Sequence, residues 1–155
     1  MATTVRILHL EDNPCDAELI SQKLRDADPS FEIVQVTDKA GFESALKQAM
    51  FDVILSDYTL PGYDGFSALA LVRQTDRHIP FILVSGALGF EGALQALNLG
   101  ATDYVSKDSL CNLVPAIWAA LANTAFNISM PAPASDASAW PASDQVQPNP
   151  FSDRS

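Results

Sequence analysis

Over residues 1–126, short runs of β-branched and aliphatic residues alternate with segments whose apolar residues recur at helical spacing. No other feature constrains the fold as much. Residues 5–10, 31–36, 51–56, 81–84 and 103–106 read as strands. Asn13 and Pro14 supply an N-cap and a first-turn proline for a helix carrying Ala17, Ile20, Leu24 and Ala27 on one side. Asp38 can cap a second helix, with Phe42, Ala45, Leu46 and Ala49 as its stripe. Residues 60–65 form a turn segment, followed by a third helix over about 66–75. A fourth, about 90–99, presents Phe90, Leu94 and Leu97 and stops at Gly100. Leu110, Leu113, Val114, Ile117 and Leu121 line a last helix, in which Pro115 either marks the start or makes a kink. Continuous apolar strands in strict alternation with five helices predict an α/β architecture: a parallel, doubly wound, five-stranded sheet covered on both faces.

Composition matters chiefly where it changes. Residues 127–155 hold five of the ten prolines, six serines, five alanines and no periodic pattern. Such a segment cannot bury enough apolar surface to offset its ordering entropy. The expected organisation is therefore a domain over 1–126 and a disordered Pro/Ala/Ser-rich tail over 127–155, in which Trp140 and Phe151 are isolated aromatics. The net charge is −10, which argues against nucleic-acid binding and against anionic membranes. No stretch approaches the roughly 20 apolar residues of a spanning helix, so membrane insertion is not expected. The first ten residues are not expected to be a secretory signal. Cys15 and Cys111 form neither a disulfide framework nor a metal cluster, and reduced cysteines in a cytoplasmic protein are expected.

In doubly wound sheets the site lies beyond the carboxyl ends of the strands, where strand order reverses. Glu11 and Asp12 follow the first strand, Asp57 the third, Ser85 the fourth and Lys107 the fifth. Converging carboxylates cannot all stay ionised without a counter-charge, and a hard cation such as Mg²⁺ would satisfy them through oxygen ligands and waters. Lys107 offers a point charge for a phosphoryl oxygen, Ser85 a hydroxyl, and Asp57 a carboxylate that can act as a nucleophile.

Four motifs at these strand ends carry a resemblance. They are Leu10-Glu11-Asp12-Asn13, Leu55-Ser56-Asp57-Tyr58-Thr59-Leu60-Pro61-Gly62-Tyr63-Asp64-Gly65, Val84-Ser85-Gly86-Ala87, and Gly100-Ala101-Thr102-Asp103-Tyr104-Val105-Ser106-Lys107. Together they resemble the receiver domains of response regulators, the phospho-accepting half of two-component signalling, over about residues 4–124. The resemblance implies the flavodoxin-like strand order 2-1-3-4-5. It implies that Asp57 accepts a phosphoryl group from a sensor histidine kinase or phosphotransfer protein. It implies Mg²⁺ at Asp12, Asp57 and the Thr59 backbone carbonyl, with Glu11 placing a metal-bound water. Lys107 and Ser85 would contact the phosphoryl group, and Ser85 and Tyr104 would form the switch that alters the face of the fourth helix, fifth strand and fifth helix. Thr59 and Ala87 would be poor at placing a hydrolytic water, implying a phosphoryl group held for minutes or longer.

Two departures stand out. Asp108 follows Lys107 where the family often has proline, and Lys107-Asp108-Ser109-Leu110 resembles receivers associated with sensor kinases. The reading is a single-domain response regulator, not an enzyme beyond its own phosphorylation and dephosphorylation. Its output would be an unknown downstream protein, a phosphorelay step or a phosphorylation-dependent dimer. The alternatives are a receiver fragment of a hybrid sensor kinase and an aspartyl-phosphate-forming hydrolase. The hydrolase normally needs a second acid close after the nucleophile, where this chain has Tyr58-Thr59. A flavin carrier on the same fold is disfavoured because Glu11-Asp12 would repel its phosphate. Among remaining residues, His9 reads as a satisfied core or edge histidine, His78 as an exposed loop residue and Cys111 as packing. Asp64 and Asp103 read as turn and surface residues, and Trp118 as an interface candidate.

Overall fold

The computed structural model describes residues 4–75, 78–86 and 89–129, and side chains to residue 123 except that of Phe90. Five strands, β1 (Val5–Leu10), β2 (Phe31–Val36), β3 (Val53–Ser56), β4 (Phe81–Ser85) and β5 (Asp103–Ser106), alternate with α1 (Pro14–Ala27), α2 (Lys39–Gln48), α3 (Gly65–Thr75), α4 (Phe90–Asn98) and α5 (Leu113–Ser129). All pairings in the sheet are parallel, in the order β2-β1-β3-β4-β5. Thr59–Leu60 and Tyr63–Asp64 add a two-residue antiparallel ladder before α3.

Successive residues of each strand enter opposite cores, which is why the strands read as unbroken apolar runs. Ile7, Val53, Leu55, Ile82 and Val105 pack with Ile20 and Leu24 of α1 and Leu113 and Ile117 of α5. Leu8, Leu10, Ile54, Phe81 and Leu83 pack on the other side with Phe42 of α2, Leu69 of α3 and Ala96 of α4. Order reverses between β1 and β3. There the backbone N–H of Asp57 donates to the carbonyl of Leu10 at 3.0 Å, so the two strand ends lie side by side.

The helix ends follow their local chemistry. The Asn13 side chain accepts from the backbone N–H groups of Cys15 and Asp16, and Pro14 opens α1. Asp38 caps α2 through the N–H of Gly41. Gly100 takes φ +112°, beyond what a side chain adopts readily, and its N–H closes the end of α4 on the carbonyl of Leu97. Pro115 falls in the first turn of α5, where a missing N–H costs nothing, so the helix starts near it rather than kinking. A 3₁₀ segment, Lys107–Asn112, joins β5 to α5 and is capped by the Ser106 hydroxyl on the Asp108 N–H.

Four expectations change. β3 starts at Val53 rather than residue 51, and Phe51 stays outside the strand beneath the guanidinium of Arg6. α4 turns its other side inward: Ala96 is fully buried while Leu94 and Leu97 are 45% and 43% exposed. A short helix beside the sheet packs closest through its small residues, and leucine spacing alone does not tell the two faces apart. Cys111 is exposed rather than packed. His9 is buried, yet neither ring nitrogen has a hydrogen-bond partner among the described residues, so it is not the satisfied histidine expected. α5 runs to Ser129, whereas residues 1–124 make one compact unit. Trp140, Phe151 and most of the expected tail lie outside the described residues, as does Ala87.

Candidate phosphoryl-transfer site

The site is assembled from the ends of β1, β3, β4 and β5. Asp57 leaves β3 buried, its Oδ1 accepting from the N–H of Tyr58 at 2.7 Å and its other oxygen, Oδ2, 3.2 Å from the ammonium of Lys107. The following turn is fixed by the N–H of Gly65 donating to the Tyr58 carbonyl at 2.7 Å. Thr59 opens the short ladder opposite Asp64, and Asp64 in turn caps α3 through the N–H of Ser67.

Glu11, Asp12 and Asp57 each bring a carboxylate oxygen within 4.8 Å of the others. An all-oxygen donor set of this kind fits a hard divalent cation such as Mg²⁺. Asp12 is exposed, whereas Glu11 is fully buried. Burial raises the Glu11 pKa, while Lys107 and the Asn13 N–H pull it back. Its Oε1 lies 2.8 Å from Lys107 Nζ as an ion pair, and its Oε2 accepts from the Asn13 N–H at 3.1 Å. Lys107 itself would be lowered by burial, but hydrogen bonds to Asp16 and Glu11 and the nearby charges hold its pKa above the usual lysine value. It is cationic throughout the physiological range.

Ser85, at the end of β4, is fully buried. Its backbone carbonyl accepts from the Tyr104 hydroxyl at 3.0 Å, so the half-buried tyrosine is anchored to the end of β4. The strand ends therefore bring together Glu11, Asp12, Asp57 and Lys107, and the register Ser85↔Ser106 places Ser85 opposite the residue just before Lys107.

Two features escape the strand-end rule. Asp16, in the first turn of α1, lies 2.7 Å from Lys107 Nζ, the shortest of its three contacts. An acid in the first turn of a helix that starts at the strand ends was the available signal, but it reads equally as an ordinary favourable charge at a helix N-terminus. His9 shares this electrostatic neighbourhood: burial first, then the charge of Lys107, push its pKa down to about 4.

Comparison with known proteins places this geometry in context. The model of the response regulator receiver domain matches residues 7–117. Curated relatives include a protein-glutamate methylesterase/protein-glutamine glutaminase of Agrobacterium fabrum, 34% identical over 69% of this chain and 31% of its own length. Another is the response regulator PleD of Caulobacter vibrioides, 31% identical over 67% of this chain and 23% of its own length. The matched region thus spans less than a third of either protein. Among solved structures, the receiver domain of a Pseudomonas aeruginosa sensor histidine kinase, with a magnesium ion coordinated in its active-site cleft, superposes with a TM-score of 0.68 at 26% identity. It covers 77% of this chain and 99% of that one.

Proposed function

This chain belongs to the response-regulator receiver family, and from that premise we propose that it accepts a phosphoryl group on Asp57 from a phosphohistidine of a sensor kinase or phosphotransfer protein. The observation that carries the reading is the buried Asp57 carboxylate, 3.2 Å from Lys107 Nζ and within 4.8 Å of the oxygens of Glu11 and Asp12. In the step, an Asp57 oxygen attacks phosphorus in line. A P–O bond forms, the P–N bond breaks, and the imidazole nitrogen leaves with the electron pair. Lys107 neutralises charge on the phosphoryl oxygens with a charge-assisted N–H bond. Ser85 supplies a hydroxyl donor to the same group. Mg²⁺, held by Asp12, Asp57 and the Thr59 carbonyl with Glu11 on a bound water, would add positive charge facing the phosphoryl oxygens.

The output is a change at Ser85 transmitted to Tyr104, whose hydroxyl bond to the Ser85 carbonyl couples the two. That change is read by a partner protein or a second copy of the chain. The chemistry is confined to gain and loss of the chain's own phosphoryl group. Two free, exposed thiols fit a reducing, cytoplasmic setting. No helix among the described residues is long and apolar enough to cross a membrane.

The test is incubation of the full chain with acetyl phosphate and Mg²⁺, followed by intact mass measurement. One added phosphoryl group is expected, lost in Asp57→Asn and suppressed by chelation of the metal. Phosphorylation that persists in Asp57→Asn would place the acceptor elsewhere.

A further inference from the structure

Three carboxylates surround the Lys107 ammonium before any phosphoryl group arrives: it donates hydrogen bonds to Asp16 at 2.7 Å and Asp57 at 3.2 Å, and Glu11 lies 2.8 Å away as an ion pair. A phosphoryl group on Asp57 brings new anionic oxygens to this ammonium, where they compete with the carboxylates already beside it. The three are not equivalent. The Glu11 side chain is 1% exposed, and releasing it would leave a buried carboxylate without its cation. Asp57 is the residue that carries the new group. Asp16 is 36% exposed, so water can replace the ammonium, and its place in the first turn of α1 keeps it beside favourable backbone N–H groups.

We infer that Asp16 is the exchangeable counter-ion of Lys107: it holds the ammonium in the unphosphorylated protein and yields it to the phosphoryl oxygen when Asp57 is modified. Asp16 is thus a positioning residue that sets how readily the phosphorylated state forms, and it ties that state to the first turn of α1. The inference rests on Asp57 being the phosphoryl acceptor. The cost of the exchange is that of a partly exposed ion pair, so removing Asp16 shifts the equilibrium toward the occupied state by roughly two- to fivefold.

The experiment uses the full chain with Mg²⁺ and beryllofluoride, a stable mimic of the phosphoryl group on aspartate, with occupancy read by fluorine NMR. Asp16→Asn and Asp16→Ser are expected to bind the mimic roughly two- to fivefold more tightly than the unmodified chain. Asp16→Glu, which keeps a carboxylate within reach of Nζ, is expected to return toward the original affinity. In a Lys107→Met background, Asp16→Asn is expected to have no such effect. Unchanged affinity in both neutral variants overturns the inference while leaving Asp57 as acceptor. Tightening that persists in the Lys107→Met background also overturns it, because Asp16 would then act by repelling the anion directly. Failure of the unmodified chain to take up either acetyl phosphate's phosphoryl group or the mimic overturns this inference together with the reading of Asp57.

Discussion

At the scale of single residues, His9 is the sharpest conflict between sequence and environment. It occupies a strand position whose neighbours Ile7 and Leu10 are fully buried, and both of its ring nitrogens are buried without a partner among the described residues. Burial lowers its pKa from 6.5 to about 4 in the folded state. The unfolded chain therefore binds the proton more readily between those values. The His9 contribution is fully present above about pH 6.5 and is lost as pH falls from there toward about pH 4. Between about pH 7 and pH 5 the loss is about 2 kcal/mol. Glu11 acts in the opposite sense, since a raised folded-state pKa favours the folded protein as pH falls. Comparison with a variant isolates the histidine. His9→Leu is expected to remove that fall, and at neutral pH to be neutral or stabilising by about 1 kcal/mol, because two unpartnered polar atoms leave the core. Urea unfolding of both proteins at the two pH values decides it: parallel losses would mean that another group sets the pH dependence. Burial of residue 9 was legible from its apolar strand. The missing partners were not, because which groups meet the ring depends on how α1 and β2 pack around it.

Among elements, α3 shows how closely the frame is built against the site. A Cβ added at Gly65 would lie 2.6 Å from Leu83 Cδ1 and 2.7 Å from the backbone carbonyl of Asp57. The leucine tip can shift, but the carbonyl belongs to the residue proposed to carry the phosphoryl group. Gly65→Ala is therefore expected to destabilise the fold by about 1–3 kcal/mol and to slow phosphorylation of Asp57. Gly62, three residues earlier, has φ +65° but nothing near its Cβ position. Gly62→Ala should cost about 1–2 kcal/mol through backbone strain alone and leave the phosphorylation rate unchanged. Thermal unfolding with acetyl phosphate kinetics separates the two, and equal rates in both variants would show that α3 does not position Asp57. The turn chemistry of residues 60–65 was legible in the sequence, whereas the closeness of Gly65 to a strand-end carbonyl was not. α4 teaches the complementary lesson. Its leucines had the right spacing for a buried stripe, but the fold buries the alanine side, Ala96 included, and leaves Leu94 and Leu97 facing outward. Apolar periodicity identifies a helix reliably and identifies its inward face only when one face alone is apolar.

For the whole molecule, the strand order was legible only through the family resemblance, whereas the strand-end residues were legible because parallel α/β topology puts the carboxyl ends of all the strands at one edge. Asp57 and Lys107, 50 residues apart in the chain, meet for that reason. Asp16 was not legible, since its contact with Lys107 depends on the approach of α1 to the 3₁₀ segment after β5. The same logic bears on the chain beyond α5. The strand-end residues run from Glu11 to Lys107, the family match ends at 117, and the compact unit ends at Thr124. None of the groups proposed for phosphoryl transfer lies later, and the composition from residue 127 onward is too poor in aliphatics to contribute a core. A chain shortened to end at Ser129 keeps α5 complete, whereas one ending at Phe126 removes its last three residues. The chain ending at Ser129 is therefore expected to unfold cooperatively at the same temperature as the full chain and to take up phosphoryl groups from acetyl phosphate at the same rate. Paired calorimetry and intact mass time courses measure both quantities. A lower unfolding temperature would show that the removed residues support the domain. A slower uptake at unchanged stability would show that they act on the site itself.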